Sequence, residues 1–179
     1  MRQSEIELIK NSIRNVPDFP KPGIQFKDIS TLLSDPAAFD YAVEAMEDCS
    51  DRLHYSKIAA AESRGFIFGS AIARDHCKPL VMVRKPGKLP GETVSQSYEL
   101  EYGRDSMEVT KESFEKGDRV LLVDDLLATG GTLEAMANLV EKCGAEVAGI
   151  VVLIELEGLG GRDRLSKYPL VSIVKCRES

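Results

Sequence analysis

Apolar positions change period along the chain. Residues 3–15 show Ile6, Leu8, Ile9 and Ile13 at helical spacing, and the pattern stops before Pro17. "PDFPKPGIQFKDIS" follows, rich in proline and without a period, yet it keeps Phe19, Ile24 and Phe26. A loop that retains aromatics packs against something. Residues 35 to about 53 read as a second helix. The pattern then alternates: "KIAAAES" as a buried strand, "GFIFGSAIARDHC" as a helix, and "PLVMVRK" as a strand. A segment punctuated by glycine and proline runs to about residue 97, after which "YELEY" and "SMEVT" can pair as a hairpin around Gly103. "RVLLVDD" is again a buried strand, "TLEAMANLVEKC" a helix closed by Gly144, and "EVAGIVVLIEL" and "PLVSIVKC" complete the set. β-branched runs alternating with amphipathic helices predict an α/β fold, a mostly parallel central sheet flanked by helices.

The pattern shows no repeat, low-complexity tract or linker, so residues 1–179 read as a single domain, large enough to bury a core without staples. Formal net charge is 23 − 29 = −6. That balance argues against a general nucleic-acid or membrane-surface binder, and any anionic ligand must meet a local cationic patch. Cys49, Cys77, Cys143 and Cys176 are scattered without a CxxC pair, which points to reduced thiols rather than a disulfide framework or metal site. The charged N-terminus resembles neither a signal peptide nor a presequence, and no apolar run reaches membrane-spanning length. The expected location is cytoplasmic.

Ligands of open parallel sheets bind beyond the carboxyl ends of the strands. That rule brings Glu62, Ser63 and Arg64, then Arg84, Lys85 and Lys88, then Asp124 and Asp125 to one rim. After the aspartates, "LLATGGT" enters a helix near Thr132. A helix start offers unpaired N–H groups and a positive dipole end, and Gly130 and Gly131 let the backbone curl around a phosphate monoester. No Lys follows the glycines, so this is not a Walker A loop, and G-x-G-x-x-G is absent. Ionised carboxylates only accept hydrogen bonds, so Asp124 and Asp125 suit the hydroxyls of a sugar whose phosphate sits in the loop. Their shared negative charge would also stabilise the partial positive charge of a glycosyl transition state. His54 and His76 have no nucleophile partner in sequence, "EGLGGRDRL" reads as a turn into a short helix, and Glu155 and Glu157 are expected to finish a strand and face water.

In chain order, "PDFPKPGIQFKDIS", "ESRGFIFG", "VRKPGKLPG", "YELEYG" and "VLLVDDLLATGGT" resemble the type I phosphoribosyltransferase family, in the branch that acts on adenine. The match spans nearly the whole chain. The resemblance implies an N-terminal base-binding hood, a mobile lid hairpin over residues 91–109, and a purine-salvage reaction. In that reaction adenine and 5-phosphoribosyl 1-pyrophosphate (PRPP) give AMP and pyrophosphate, with Mg2+ held mainly by substrate. It assigns the ribose hydroxyls to Asp124 and Asp125, and the 5-phosphate to Ala128, Thr129, Gly130, Gly131 and Thr132. It assigns pyrophosphate to Ser63, Arg64, Arg84, Lys88 and Tyr102, with a cis peptide expected at Glu62–Ser63. Adenine would lie on Phe26, with backbone groups around Gln25 and Lys27 reading its edge, and Glu101 would steady the purine N7 side. The catalytic set is then Glu101, Asp124, Asp125 and Arg64, and the resemblance also implies a homodimer with Arg84 near its interface.

Blander readings of the same residues are a helix start with dipole-complementing acids, a surface ion pair at Arg64, loop packing at Phe26 and an exposed acidic hairpin at Glu101 and Tyr102. Family members commonly carry a small apolar residue and Arg where this chain has Gln25 and Lys27, which bears on tolerance for other 6-aminopurines. Two rival functions differ in class or substrate. A 6-oxopurine transferase is disfavoured by "PGIQFKDI", because those relatives bind the base with a C-terminal hood. A nucleic-acid-binding regulator would call for a basic face or an added domain.

Overall fold

A computed structural model of the chain describes residues 2–100 and 103–177. Helix α1 (Gln3–Asn11) ends earlier than its period predicts, because the chain turns into strand β1 (Arg14–Pro17). β1 pairs antiparallel with β2 (Gln25–Asp28), with Val16 opposite Phe26. The proline-rich stretch therefore holds the end of β1, the connection and all of β2 of a small hairpin rather than an unpaired loop. Two four-residue strands carry too little period to announce themselves.

A short helix α2 (Ser30–Leu33) leads to α3 (Pro36–Ser50). Asp35 caps α3, its carboxylate accepting from the Ala37 and Ala38 N–H groups at 3.0 and 3.2 Å, and Pro36 sits where a missing N–H costs nothing. Then come β3 (Lys57–Ala61), α4 (Gly65–Asp75), β4 (Leu80–Val83), the strands β5 (Thr93–Leu100) and β6 (Gly103–Thr110), β7 (Arg119–Leu127), α5 (Gly131–Lys142), β8 (Glu146–Glu157), α6 (Gly161–Arg164) and β9 (Leu170–Arg177). β5 and β6 pair as the expected antiparallel hairpin, but β5 begins at Thr93, inside the stretch read from sequence as irregular to about residue 97, because its register with β6 runs from Thr93 opposite Thr110.

The central sheet has five parallel strands in the order β4-β3-β7-β8-β9. Alternation along β7 and β8 feeds two cores. Leu121, Val123, Val151 and Leu153 pack with Met46, Phe68 and Ile72 of α3 and α4. Val120, Leu122, Ile150 and Val152 pack with α5 and with Met107 and Val109 of the hairpin. α4 lies so close to β3 that a Cβ on Gly69 would sit 2.6 Å from that of Ala60.

One sequence expectation is overturned here. Glu155 does not face water: it is 5% exposed and accepts Nε and Nη2 of Arg162 at 2.7 and 2.6 Å and the Ser172 hydroxyl. Glu155 lies in the interior strand β8, where both faces of a parallel sheet are covered. Donation from Arg162 holds its carboxyl down at about 2.

Candidate functional site

The chain leaves β3 toward β4 on one side and leaves β7 toward β8 on the other, so the strand order reverses between β3 and β7. A doubly wound sheet opens a crevice at such a point. Three short segments meet in it. After β3, the Glu62–Ser63 peptide is cis, as the resemblance implied, and Arg64 stands at the start of α4. Gly65 is required there: a Cβ would lie 2.9 Å from Asp124 Oδ1 and 3.0 Å from the Val123 carbonyl. β7 continues through both aspartates to Leu127, and the loop turns into α5 at Gly130, whose φ is +81°.

These segments enclose a cavity of about 340 Å³. It brings together Ser63, Arg64, Asp124, Asp125 and the whole loop from Ala128 to Thr132, all expected from the sequence. Asp125 is 3% exposed, and Nε of Arg64 lies 2.9 Å from its Oδ2. The contact is an ion pair without a directed hydrogen bond, since that oxygen has no hydrogen-bond partner among the described residues. Oδ1 of Asp124 accepts the Asp125 N–H at 2.9 Å. Burial pushes the Asp124 carboxyl well above the usual range, and the neighbouring Asp125 charge adds to the rise. Burial also raises Asp125, against the opposing pull of Arg64. The pair is thus costly to ionise in the free protein.

On the other side of Arg64, its guanidinium carbon stands 5.2 Å from the centroid of the Phe26 ring, and Phe19 meets Phe26 edge-on at 5.1 Å. Val16, Phe19, Phe26, Leu33 and Arg64 contribute to the wall of a second, largely apolar cavity of about 560 Å³. Strand alternation separates Phe26 from its neighbours. The side chains of Gln25 and Lys27 are both engaged by Asn15, at 2.8 and 3.0 Å, and neither lines this cavity.

The expected pyrophosphate cations divide. Arg84 and Lys88 do not line the first cavity. Arg84 donates to Glu62 Oε1 at 2.8 Å and to the Lys88 carbonyl at 3.0 Å, and this donation holds the Glu62 carboxyl below its ordinary range. Lys85 does line the cavity. Its backbone N–H donates to Glu62 Oε2 at 2.9 Å, and its ammonium pairs with Asp105 of β6. Tyr98, which the sequence reading passed over, is buried on the cavity wall with its hydroxyl 3.2 Å from Asp105 Oδ2 and 3.5 Å from Thr132 Oγ1. Its signal was an aromatic directly after the polar run Ser95, Gln96 and Ser97 of a hairpin strand. Glu101 and Tyr102 lie outside the described residues. His54 and His76 sit at the amino ends of β3 and β4, remote from the cavity.

The sequence model of the phosphoribosyl transferase domain matches residues 28–177. A Rubrobacter xylanophilus protein named adenine phosphoribosyltransferase is 51% identical over 170 residues, covering 94% of this chain and 92% of that one. The crystal structure of adenine phosphoribosyltransferase from Thermoanaerobacter pseudethanolicus superposes with a TM-score of 0.93 at 50% identity, over 96% of this chain and 99% of that one. The Saccharomyces cerevisiae enzyme, crystallised with adenine and D-2,5-dideoxy-2,5-imino-altritol 1,6-bisphosphate, superposes with a TM-score of 0.90 at 34% identity, over 97% of this chain and 100% of that one.

Proposed function

Because the chain belongs to the adenine phosphoribosyltransferases, of the type I phosphoribosyltransferase family, we propose that it converts adenine and PRPP to AMP and pyrophosphate. The observation that carries this reading is the order of groups across the β3–β7 crevice. A phosphate-type helix start, two adjacent carboxylates, a cationic turn and an aromatic surface follow one another there. A sugar 5-phosphate bound in that order has its phosphate at residues 128–132, its hydroxyls on Asp124 and Asp125, and its anomeric carbon facing the Arg64 and Phe26 side.

In the transfer, adenine N9 forms the bond to C1 while the C1–O bond breaks and its electrons leave with pyrophosphate. The N9 proton passes to water or to the departing pyrophosphate, so atoms and charge balance. Positive charge grows on the ring above carboxylates that are hard to ionise without a partner, so their interaction is strongest in the transition state. Arg64 touches both Asp125 and Phe26 and so couples the sugar site to the base site. A base stacked on Phe26 needs about 3.5 Å to each neighbouring surface, so Arg64 must withdraw from its 5.2 Å position to admit one. For base selection, adenine presents an acceptor at N1 and a donor at N6, whereas hypoxanthine reverses both. Main-chain readout is supported by the engagement of the Gln25 and Lys27 side chains with Asn15.

Lys85 joins Ser63 and Arg64 as the pyrophosphate-facing set, with the β5–β6 hairpin as the lid that excludes water. The assignments of Arg84, Lys88, Glu101 and Tyr102 from family resemblance stand as part of this reading, as does a homodimer with Arg84 near its interface. No three metal-ligating side chains cluster among the described residues. The oxygen donors on the cavity wall, with those of the diphosphate, are of the kind Mg2+ takes. Bound there chiefly by substrate, it would neutralise charge on the leaving pyrophosphate. No helix among the described residues is long and apolar enough to cross a membrane, and the reading places the enzyme in the cytoplasm.

The test is an absorbance assay with PRPP, Mg2+ and each of adenine, hypoxanthine and guanine. AMP is expected as the sole nucleotide product. IMP or GMP at a comparable rate would replace the adenine assignment with a 6-oxopurine one.

A further inference from the structure

The segment "EGLGGRDRL" reads in sequence as a turn into a short helix, and the structure agrees, but it also shows what that helix holds. Gly158 and Gly160 take φ of +95° and +74°, which lets the chain double back after β8. The return brings Gly161 against the loop that enters α5. A Cβ on Gly161 would lie 2.1 Å from the Ala128 carbonyl oxygen, and one on Gly130 would lie 3.1 Å from the Gly161 carbonyl. Two loops far apart in sequence therefore touch backbone to backbone at glycines.

Arg164 completes the contact. Its Nη1 donates to the Thr129 carbonyl at 3.4 Å, and its Nε lies 2.9 Å from Glu134 Oε2 in the first turn of α5. An acid in the first turn suits the helix dipole but repels an anion bound at the same N-terminus. Arg164 offsets that charge and holds the Thr129 carbonyl. α6 is itself tied to the sheet, since Arg162 spans the buried Glu155 and the Leu170 carbonyl at 3.1 Å. A continuous strut thus runs from β8 and β9, through Arg162 and α6, to residues 128–130.

The geometry points to Arg164, with Gly161, as a positioning residue for the 5-phosphate loop: it touches no substrate but sets the backbone that does. The inference rests on the proposed assignment of residues 128–132 to the ribose 5-phosphate. Arg164→Gln and Arg164→Lys test it, with ribose 5-phosphate binding followed by calorimetry and both KM values by steady-state assay. Losing a charged hydrogen-bonding group should weaken ribose 5-phosphate and raise the PRPP KM by about tenfold. The adenine KM stays within about twofold, and Lys recovers part of the loss. Gly161→Ala should act in the same direction; should it not fold, the Arg164 pair carries the test.

Unchanged ribose 5-phosphate affinity in Arg164→Gln, or an equal rise in both KM values, overturns the inference, because a merely structural helix would move both substrates together. The two readings fail separately. Wild-type protein that binds ribose 5-phosphate yet makes no AMP removes the proposed reaction and leaves the strut, read from binding alone.

Discussion

At the residue scale, the adjacent carboxylates carry a cost in the free protein, which the proposed glycosyl transition state would offset. Asp124 is half-buried beside Asp125, and its carboxyl sits well above the ordinary range because of burial first and the neighbouring charge second. A carboxyl raised in the native state contributes stability that is present below its unfolded value and lost as pH rises through the folded one. Asp124→Asn keeps an oxygen for the Asp125 N–H while removing the charge. It should raise Tm at pH 7–8 by roughly 2–4 °C, about 1 kcal/mol for a chain of this size, with the gain vanishing below about pH 4. Turnover should fall by about a hundredfold at neutral pH. Calorimetric scans across pH, set beside turnover, check both arms, and a variant less stable than wild type at pH 8 would contradict the cost assigned to the ionised acid.

At the element scale, the contacts that shape the site come from short pieces. α6 has four residues and the β1 and β2 strands four each, yet α6 braces the loop and the hairpin carries Phe26. The fixing of α6 depends on Glu155, whose carboxyl is held at about 2 by Arg162. A depressed carboxyl contributes stability that is present above its unfolded value and is lost as pH falls toward the folded one. Glu155→Gln should therefore cost about 2 kcal/mol near pH 7, a figure reduced for solvent screening at the partly exposed Arg162. That cost should shrink between roughly pH 4.5 and pH 2. Denaturant midpoints for the two proteins across that window measure it; a difference that stays constant down to pH 2 would assign the effect to shape rather than charge.

At the scale of the whole molecule, a chain of net charge −6 that takes PRPP, as proposed, would recruit it through the local field at the β3–β7 crevice. Lys85 and Arg64 line it, and the start of α5 points into it. Partly exposed charges are screened by salt, whereas a stacked neutral base is not. Raising ionic strength from 50 to 500 mM should therefore increase the PRPP KM by roughly fivefold and leave the adenine KM nearly flat. Parallel rises in both would place the salt effect on the fold instead of the crevice. The same scale explains Tyr98 and Lys85: the hairpin folds back on α5, bringing its inner face over the cavity and pairing Asp105 with Lys85.

The amino-acid sequence by itself determined the strands and helices of the central sheet, because burial on one face or two writes a period into the residues. It also determined the glycine-bearing loop and the acidic pair, because those residues are local and contiguous from Asp124 to Thr132. Only the tertiary structure decided which cation of "VRKPGK" faces the cavity, that Phe26 turns toward Arg64 while Gln25 and Lys27 turn to Asn15, and that Glu155 is buried to anchor α6. Those choices depend on where distant segments meet, and a contact between Gly161 and Ala128 leaves no mark on the neighbours of either residue.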